Sequence, residues 1–491
     1  MPVETERKFR IDDDAAVPDI GHVGETREFT LVAAYFDSPA LNLARKGITL
    51  RRRTGGHDDG WHLKLPLDGD RRQELSAPLG ASELVVPREL RTLVADALPD
   101  LALVPVAVLT THRRESDLLE EGTAVAHLTD DRVHARHGHT ERSSWRELEV
   151  ELTDPTDLST LDVITSRLAA AGVEAAPPVA KLVQAFGDEV RRPAPALNQQ
   201  SSAADVIAAW LRTQVGVIAA REQQVIDDAP DAVHKVRVAT RRLRAGLKTF
   251  RRWLSQHETD PVRAELRWFA GLLGGPRDAE VLRDHLLEQL EHLPADEVVG
   301  PVRDRLTAEL THRHDWAHEG LLAGMGTARF DELNEALAAL AAAPPVQPAA
   351  VSTPASALEK GIAQQERKLG RAWRDALQTS GAERRHLQHE ARKSAKGVRY
   401  AWEACQDALP RAAERAEHFK QVTETLGVVQ DSVVARGELT RLAGLARAAA
   451  EPTATYAALI QREEHRARQA DVEAGRLLVP AASPRPSPAS S

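Results

Sequence analysis

The chain has 491 residues, of which 42% are hydrophobic and 4% aromatic, with a formal net charge of −9. That length accommodates about two to four domains, and the charge excludes a molecule that is basic as a whole, so any polyanion site must come from the distribution of charge. A single cysteine, Cys405, excludes an internal disulfide framework and a cysteine-rich metal site, and fits a reducing compartment.

The first residues are charged and lack the apolar run of a signal peptide. The longest apolar run, LALVPVAVL at 101–109, is too short to span a bilayer. A cytoplasmic protein with no membrane partner is expected. Through residues 1–190 the segments VETERKFRI, EFTLVAAYFD, GITLRRR, GWHLKLP, TAVAHLTDDRV and SSWRELEVEL read as strands, with turn chemistry such as RTGGHDDG between them. A helix is predicted over 159–171, followed by AGVEAAPPVAK and a linker, RRPAPALNQQ, at 191–200.

Strand side chains alternate between faces. Glu4, Glu6 and Lys8 therefore share one face, as do Arg51 and Arg53, and Arg72 and Glu74. Lys64 stands in WHLKLP. Glu147, Glu149 and Glu151 alternate with Leu148, Val150 and Leu152, so that strand has one acidic and one apolar face. For a single strand, an exposed face with salt-bridged pairs is an adequate explanation. Several such strands together suit a barrel with a polar interior. Carboxylates there would take a hard divalent ion such as Mg2+ or Mn2+, and bases would clamp phosphate oxygens.

VETERKF carries the ExExK signature, and with YFDSPALNLARKGITLRRR, WHLKLP, the DDRV turn and WRELEVEL it resembles the CYTH domain of the triphosphate tunnel metalloenzyme superfamily. The resemblance covers about residues 1–190 and implies an eight-stranded antiparallel tunnel with flanking helices that hydrolyses triphosphates with a divalent metal. It assigns phosphate contacts to Lys8, Arg51, Arg53, Lys64, Arg113 and Lys181, with Arg114 the neighbour of Arg113. It assigns metal binding to Glu4, Glu6, Asp130, Glu147, Glu149 and Glu151, with Asp131 the like neighbour of Asp130. Ala180 stands where many members carry Ser.

From 201 onward Ala, Leu, Arg and Glu dominate and long helices are predicted. The break AAPPVQPAAVSTPAS at 342–356 divides this half into repeats at about 201–341 and 357–476, and a Pro/Ser-rich disordered tail is expected over 477–491. His234, Arg237, Arg241 and Arg244 in the first repeat match His389, Arg392, Lys396 and Arg399 in the second. LGGPRDAEVL (273–282) matches LGVVQDSVVA (426–435), and Arg267 and Lys420 precede these at equal distances. On a helix the cations form one stripe, with Val236, Thr240, Leu243, Leu247, Phe250 and Leu254 on the other side. No acid lies between Ala232 and His257, and like charges at helical spacing repel. The stripe points to a polyanion. A metal on His234 and His389 with Asp278 and Asp431 is disfavoured, because the cations would crowd it.

This duplicated half resembles the CHAD domain, the conserved-histidine α-helical domain, over roughly 200–475. The resemblance implies two four-helix units and a basic groove for inorganic polyphosphate, lined by His234, Arg237, Arg241, Arg244, His389, Arg392, Lys393, Lys396 and Arg399. Nucleic acid is the lesser reading, since few aromatics are placed to stack bases. The whole chain reads as an α+β tunnel, residues 1–190, joined to an all-α domain, residues 201–476. The expected function is metal-dependent hydrolysis of inorganic triphosphate with polyphosphate binding, in the cytoplasm or at polyphosphate granules. The alternatives are a non-enzymatic polyphosphate adaptor and an adenylyl cyclase-type use of the tunnel.

Overall fold

The computed structural model describes residues 3–67, 71–138, 140–193 and 195–478, with the side chains of 381, 382 and 385 left aside. The expected tail lies outside the described residues from 479 onward, and Leu477 and Leu478 close the last helix instead. Backbone contacts divide the chain into two units. One comprises Met1–Pro195, Val215–Gln223 and Asn334–Ala343; the other comprises Ala196–Gln214, Gln224–Leu333 and Pro344–Ser491.

In the first unit the strands are β1 (Val3–Arg10), β2 (His22–Asp37), β3 (Thr49–Thr54), β4 (Gly60–Pro66), β5 (Arg71–Ala77), β6 (Val104–Glu120), β7 (Thr123–His137), β8 (Thr140–Leu152) and a two-residue β9 (Glu174–Ala175). They are ordered β5-β4-β3-β2-β6-β7-β8-β1-β9, and a further antiparallel pairing of β1 with β5 closes the eight long strands into a barrel. The expected tunnel is the fold. The alternating runs do not announce β6. It begins with the apolar stretch read above, and its remainder, THRRESDLLE, carries charge on both faces.

Period-two alternation turns each wall inside out relative to an ordinary core. Leu148, Val150 and Leu152 point outward and are buried with Phe9 against Leu161, Ile164 and Leu168 of helix α1 (Leu158–Ala170). Asp157 caps that helix by accepting from the Thr160 backbone N–H at 3.2 Å. A second outer core joins Phe36, Leu50, Trp61 and Leu63 of the strands to Leu90 and Val94. With both outer layers apolar, Glu147, Glu149 and Glu151 are left to face the lumen. A short helix α2 (Lys181–Phe186) delivers Lys181 to the same wall.

The second unit is helical. Its principal helices, two of which (α3 and α7) are divided between the units, are α3 (Ala203–Ala220), α4 (Ala232–Thr249), α5 (Gln256–Glu291), α6 (Val302–Met325), α7 (Ala328–Ala342), α8 (Ser356–Gln378), α9 (Gly381–Ala404), α10 (Ala412–Ala448) and α11 (Ala454–Leu478). The series α3 to α6 is repeated in α8 to α11. The long helices α5 and α10, of 36 and 37 residues, correspond across the repeats. Helix α3 is long and apolar enough to cross a membrane by length and composition, and 56% of that stretch is buried within the protein.

All six residues read as the packed face are buried, Val236, Thr240, Leu243 and Leu247 on α4 and Phe250 and Leu254 beyond its last residue. Gly246 lies on that face because a Cβ there would fall 1.8 Å from the Trp210 ring. Helices α5, α6, α10 and α11 share a core of Leu286, Leu306, Leu310, Leu439, Leu442 and Leu459.

Because Leu148 is fully buried between β8 and α1, Leu148→Ala is expected to destabilise the protein by about 2–5 kcal/mol. Chemical denaturation of the full chain checks this, as a lower midpoint with an unchanged slope.

Candidate functional site

The barrel encloses a cavity of about 730 Å3 lined by Glu4, Glu6, Lys8, Arg51, Arg53, Lys64, Arg113, Glu149, Glu151 and Lys181. Ten of the twelve tunnel residues named from sequence therefore face one lumen. Glu147 is buried at its edge, where Lys181 Nζ lies 2.6 Å and Lys8 Nζ 3.6 Å from its carboxylate.

Asp130 is the exception. Its carboxylate accepts from Arg146 Nε and Nη2 at 2.8 and 2.9 Å, and Arg146 also donates to the carbonyls of Asp12, Asp13 and Ala15. This places Asp130 on the outer face of β7 and corrects its assignment as a metal ligand. The neighbour Asp131 is the inward residue, fully buried, because it shares parity with Thr129 and His127.

Lys181 Nζ sits at the centre of three carboxylates, 3.0 Å from Asp131, 2.6 Å from Glu147 and 2.6 Å from Glu149. Arg113 makes a forked pair with Asp131 at 2.7 and 2.8 Å and reaches Glu149 at 3.2 Å. Lys8 also pairs with Glu149. Burial opposes charge on Glu149, but Lys181, Lys8 and Arg113 outweigh it and hold the carboxyl well below the usual range. Asp131 is depressed in the same way, against burial, by Lys181 and Arg113. Oxygens of Asp131, Glu147 and Glu149 lie within 4.8 Å of one another, a hard-oxygen set suited to a divalent cation. The Lys181 ammonium already stands among them, so a cation bound there would share or replace its charge.

Along the wall the balance changes sign. Lys64 pairs with Glu4 and, at 3.3 Å, with Glu74. Glu74 also bonds His62 Nδ1 at 2.7 Å. Burial, then the hydrogen bond with Glu74, push the Glu4 carboxyl up to about 8. Burial raises Glu151 as well. Here carboxylates outnumber nearby cations, and the lumen has capacity for added positive charge. Arg51 and Arg53 follow on the adjacent strand β3, Arg51 within 3.4 Å of the Tyr35 hydroxyl and Arg53 paired with Asp58.

Sequence reasoning noted the alternation of Glu74 but gave it no role, and it missed His62, Tyr35, Arg27, Glu115, Asp117 and His127. Steps of two from Arg113 reach Glu115 and Asp117, so parity on β6 was the available signal.

In the helical unit, α4 and α9 pack side by side. Arg241, Arg244, Lys248, Lys393 and Lys396 line one basic concavity, together with Arg251, Arg263, Arg267 and Tyr400. Arg237 pairs with Asp278 at 2.8 Å and Arg392 lies 3.7 Å from Asp431, so the two repeat aspartates orient matching arginines. Burial, then Arg241 and Arg392, lower the Lys396 ammonium to about 7. His234 and His389 are exposed, and both are lowered by partial burial and adjacent cations. Of the nine residues expected in the groove, Arg241, Arg244, Lys393 and Lys396 line this concavity, His234, Arg237, His389 and Arg392 lie outside its lining, and Arg399 lies elsewhere. It turns into a separate recess with Arg242 and Lys420, where it pairs with Glu403 at 2.7 Å.

Replacing Lys181 by Gln would leave the buried Asp131, Glu147 and Glu149 to Lys8 and Arg113 alone, with an expected loss of about 3–5 kcal/mol at pH 7. The folded pKa values of Glu149 and Asp131 lie below their unfolded ones. Their stabilisation is thus present above the unfolded carboxylate range and lost as pH falls through the folded values. The gap between wild type and Lys181→Gln should narrow below about pH 4, as read by denaturation at a series of pH values.

Comparison with known proteins bears on both units. Residues 2–173 match the CYTH domain and residues 209–440 the CHAD domain. The chain is 35% identical over 486 residues to the uncharacterized protein Rv2226 of Mycobacterium tuberculosis (strain ATCC 25618 / H37Rv), an alignment covering 94% of this chain and 93% of that one. Among solved structures, PptA from Streptomyces chartreusis is similar at 22% identity and a TM-score of 0.48, over 56% of this chain and 99% of that one. The CHAD domain from the plant Ricinus communis is similar at 21% identity and a TM-score of 0.44, over 58% of this chain and 94% of that one. The closed barrel, the duplicated helices and a relative matched almost end to end lead to one conclusion: the chain belongs to the family in which a CYTH domain, of the triphosphate tunnel metalloenzyme superfamily, is followed by a CHAD domain.

Proposed function

We propose that the tunnel hydrolyses a triphosphate, inorganic triphosphate foremost, with Mg2+ or Mn2+, and that the helical unit binds inorganic polyphosphate. The observation that carries the reading is the lumen itself, where bases and carboxylates face one another across a single cavity of about 730 Å3. Arg51, Arg53 and Arg113 offer forked donors matched to phosphoryl oxygens, while Lys8, Lys64 and Lys181 supply point charges. Asp131, Glu147 and Glu149, with Glu4, Glu6 and Glu151, would hold the divalent ion, which when bound supplies neutralising charge to the phosphate oxygens. Bases contributed by several strands would hold a triphosphate in position for in-line attack. No base edge needs to be read by these groups.

Purified full-length protein should release phosphate from tripolyphosphate in the presence of Mg2+ or Mn2+. Lys8→Ala and Asp131→Asn are expected to lower kcat/KM by about 100-fold or more, while Asp130→Asn keeps near wild-type activity. No phosphate release from wild type, with Glu6→Ala unchanged, would reduce the tunnel to a ligand-holding role.

The basic concavity suits a long polyanion of the same chemistry. A polyanion favours the ammonium form of Lys396, whose free value is about 7, so binding should take up a proton. Arg241 and Arg237 of α4, Arg392 of α9 and Asp431 of α10 are the charged groups that act on it. His234 and His389 are held below the usual imidazole value and are neutral above pH 7. Polyphosphate affinity should therefore fall as pH rises from about 7 to 9, and the slope should flatten in Lys396→Arg, which stays charged. Arg241→Glu should weaken binding at every pH. Calorimetric titration with polyphosphate of defined length measures both.

A further inference from the structure

The β6–β7 wall carries a second group of donors that neither reading uses. Cross-strand register sets Glu115 opposite Thr129 and Asp117 opposite His127. Glu115, Thr129 and His127 face the lumen, and Asp117 joins them through His127 Nδ1 at 2.9 Å. One ligand atom each from Glu115, Asp117 and His127 lies within 4.8 Å of the others. Donors around a divalent ion stand about 3–4 Å apart when each bond is about 2.0–2.2 Å, so the group needs little contraction to close on one.

Thr129 supplies an independent sign. The residue is only 4% exposed, yet its hydroxyl has no hydrogen-bond partner among the described residues. An unsatisfied buried hydroxyl in a polar lumen marks a place for something that the protein itself does not provide. The position is held by Arg27, whose Nη2 lies 3.1 Å from Glu115 and 2.9 Å from Asp117. Arg27 is 36% exposed along its side chain, so it can leave for solvent without opening a core. Its Nε is buried and has no hydrogen-bond partner among the described residues, so Nη2 carries both ion pairs.

We propose that Glu115, Asp117, His127 and Thr129 form a binding site for a divalent transition-metal ion, with Arg27 standing in when the ion is absent. One imidazole among oxygen donors favours Mn2+, Co2+ or Zn2+ over Mg2+. That separates this site from the all-carboxylate set at Asp131, Glu147 and Glu149. The assignment does not depend on hydrolysis in the tunnel.

Mn2+ alone, added to the full-length protein and observed by pulsed electron paramagnetic resonance, tests it. Wild type should show 14N coupling from a directly bound imidazole. The coupling should disappear in His127→Gln and persist in His57→Gln, which alters the other imidazole lining the cavity. Asp117→Asn should weaken this Mn2+ site by about tenfold or more, and Thr129→Val, close to isosteric, should weaken it measurably. Arg27→Ala should tighten it, because the competing cation is gone. Mn2+ bound without 14N coupling would overturn the site while leaving the carboxylate set and the proposed hydrolysis intact. Coupling that survives in His127→Gln, or weaker binding in Arg27→Ala, would equally overturn it.

Discussion

The barrel depends on pairing buried charge. Glu149, Asp131, Lys8 and Lys181 are each less than a tenth exposed, and an isolated charge so placed would cost several kcal/mol or would neutralise itself. They stay charged because they hold one another. Lys181 arrives from a helix that follows the last long strand, and Lys8 arrives from the first. The electrostatic core therefore cannot form until the chain ends of this unit have met. Lys8 stands directly across from Glu149 in the β1–β8 ladder, so that pairing and charge neutralisation at β8 are one requirement seen from two sides.

The same wall explains what could be read in advance. Where inward charges alternate with outward leucines and valines, as in RELEVEL, both the strand and its lumen face were legible. The position in DDRV was not, because two adjacent aspartates satisfy a pattern equally, and only registration against β8 decides that Asp131 meets Lys181 while Asp130 meets Arg146. Strand β6 was obscure for a related reason. Charge on both of its faces removes the contrast on which alternation depends. The helical stripe was legible because one face of α4 is apolar apart from the buried Thr240. The diversion of Arg399 was not, since it turns on Glu403, four residues further along, and that acid has no counterpart at the matching place after Arg244, where Lys248 stands.

Tunnel and groove solve opposite problems with the same residue types. In the tunnel nearly every base has a carboxylate partner within the wall. In the concavity of α4 and α9, Arg241 and Lys396 lie among other cations, and burial together with that repulsion depresses the ammonium of Lys396. The first arrangement is stable without ligand. The second is relieved by one.

On the proposed function this difference sets how each site is filled. A polyanion at the groove meets cations such as Arg241 and Lys396 that stand among like charges, and its binding is direct neutralisation, sensitive to salt. A triphosphate in the tunnel meets bases already engaged, and for Arg113 or Lys181 to turn to it, Asp131, Glu147 and Glu149 must give up a counter-charge. Those carboxylates cannot be left bare at that depth. Phosphate binding and cation binding in the lumen are therefore bound to reinforce one another, each supplying the partner that the other displaces. The coupling follows from the burial of the wall, and it would weaken wherever the lumen opened to water.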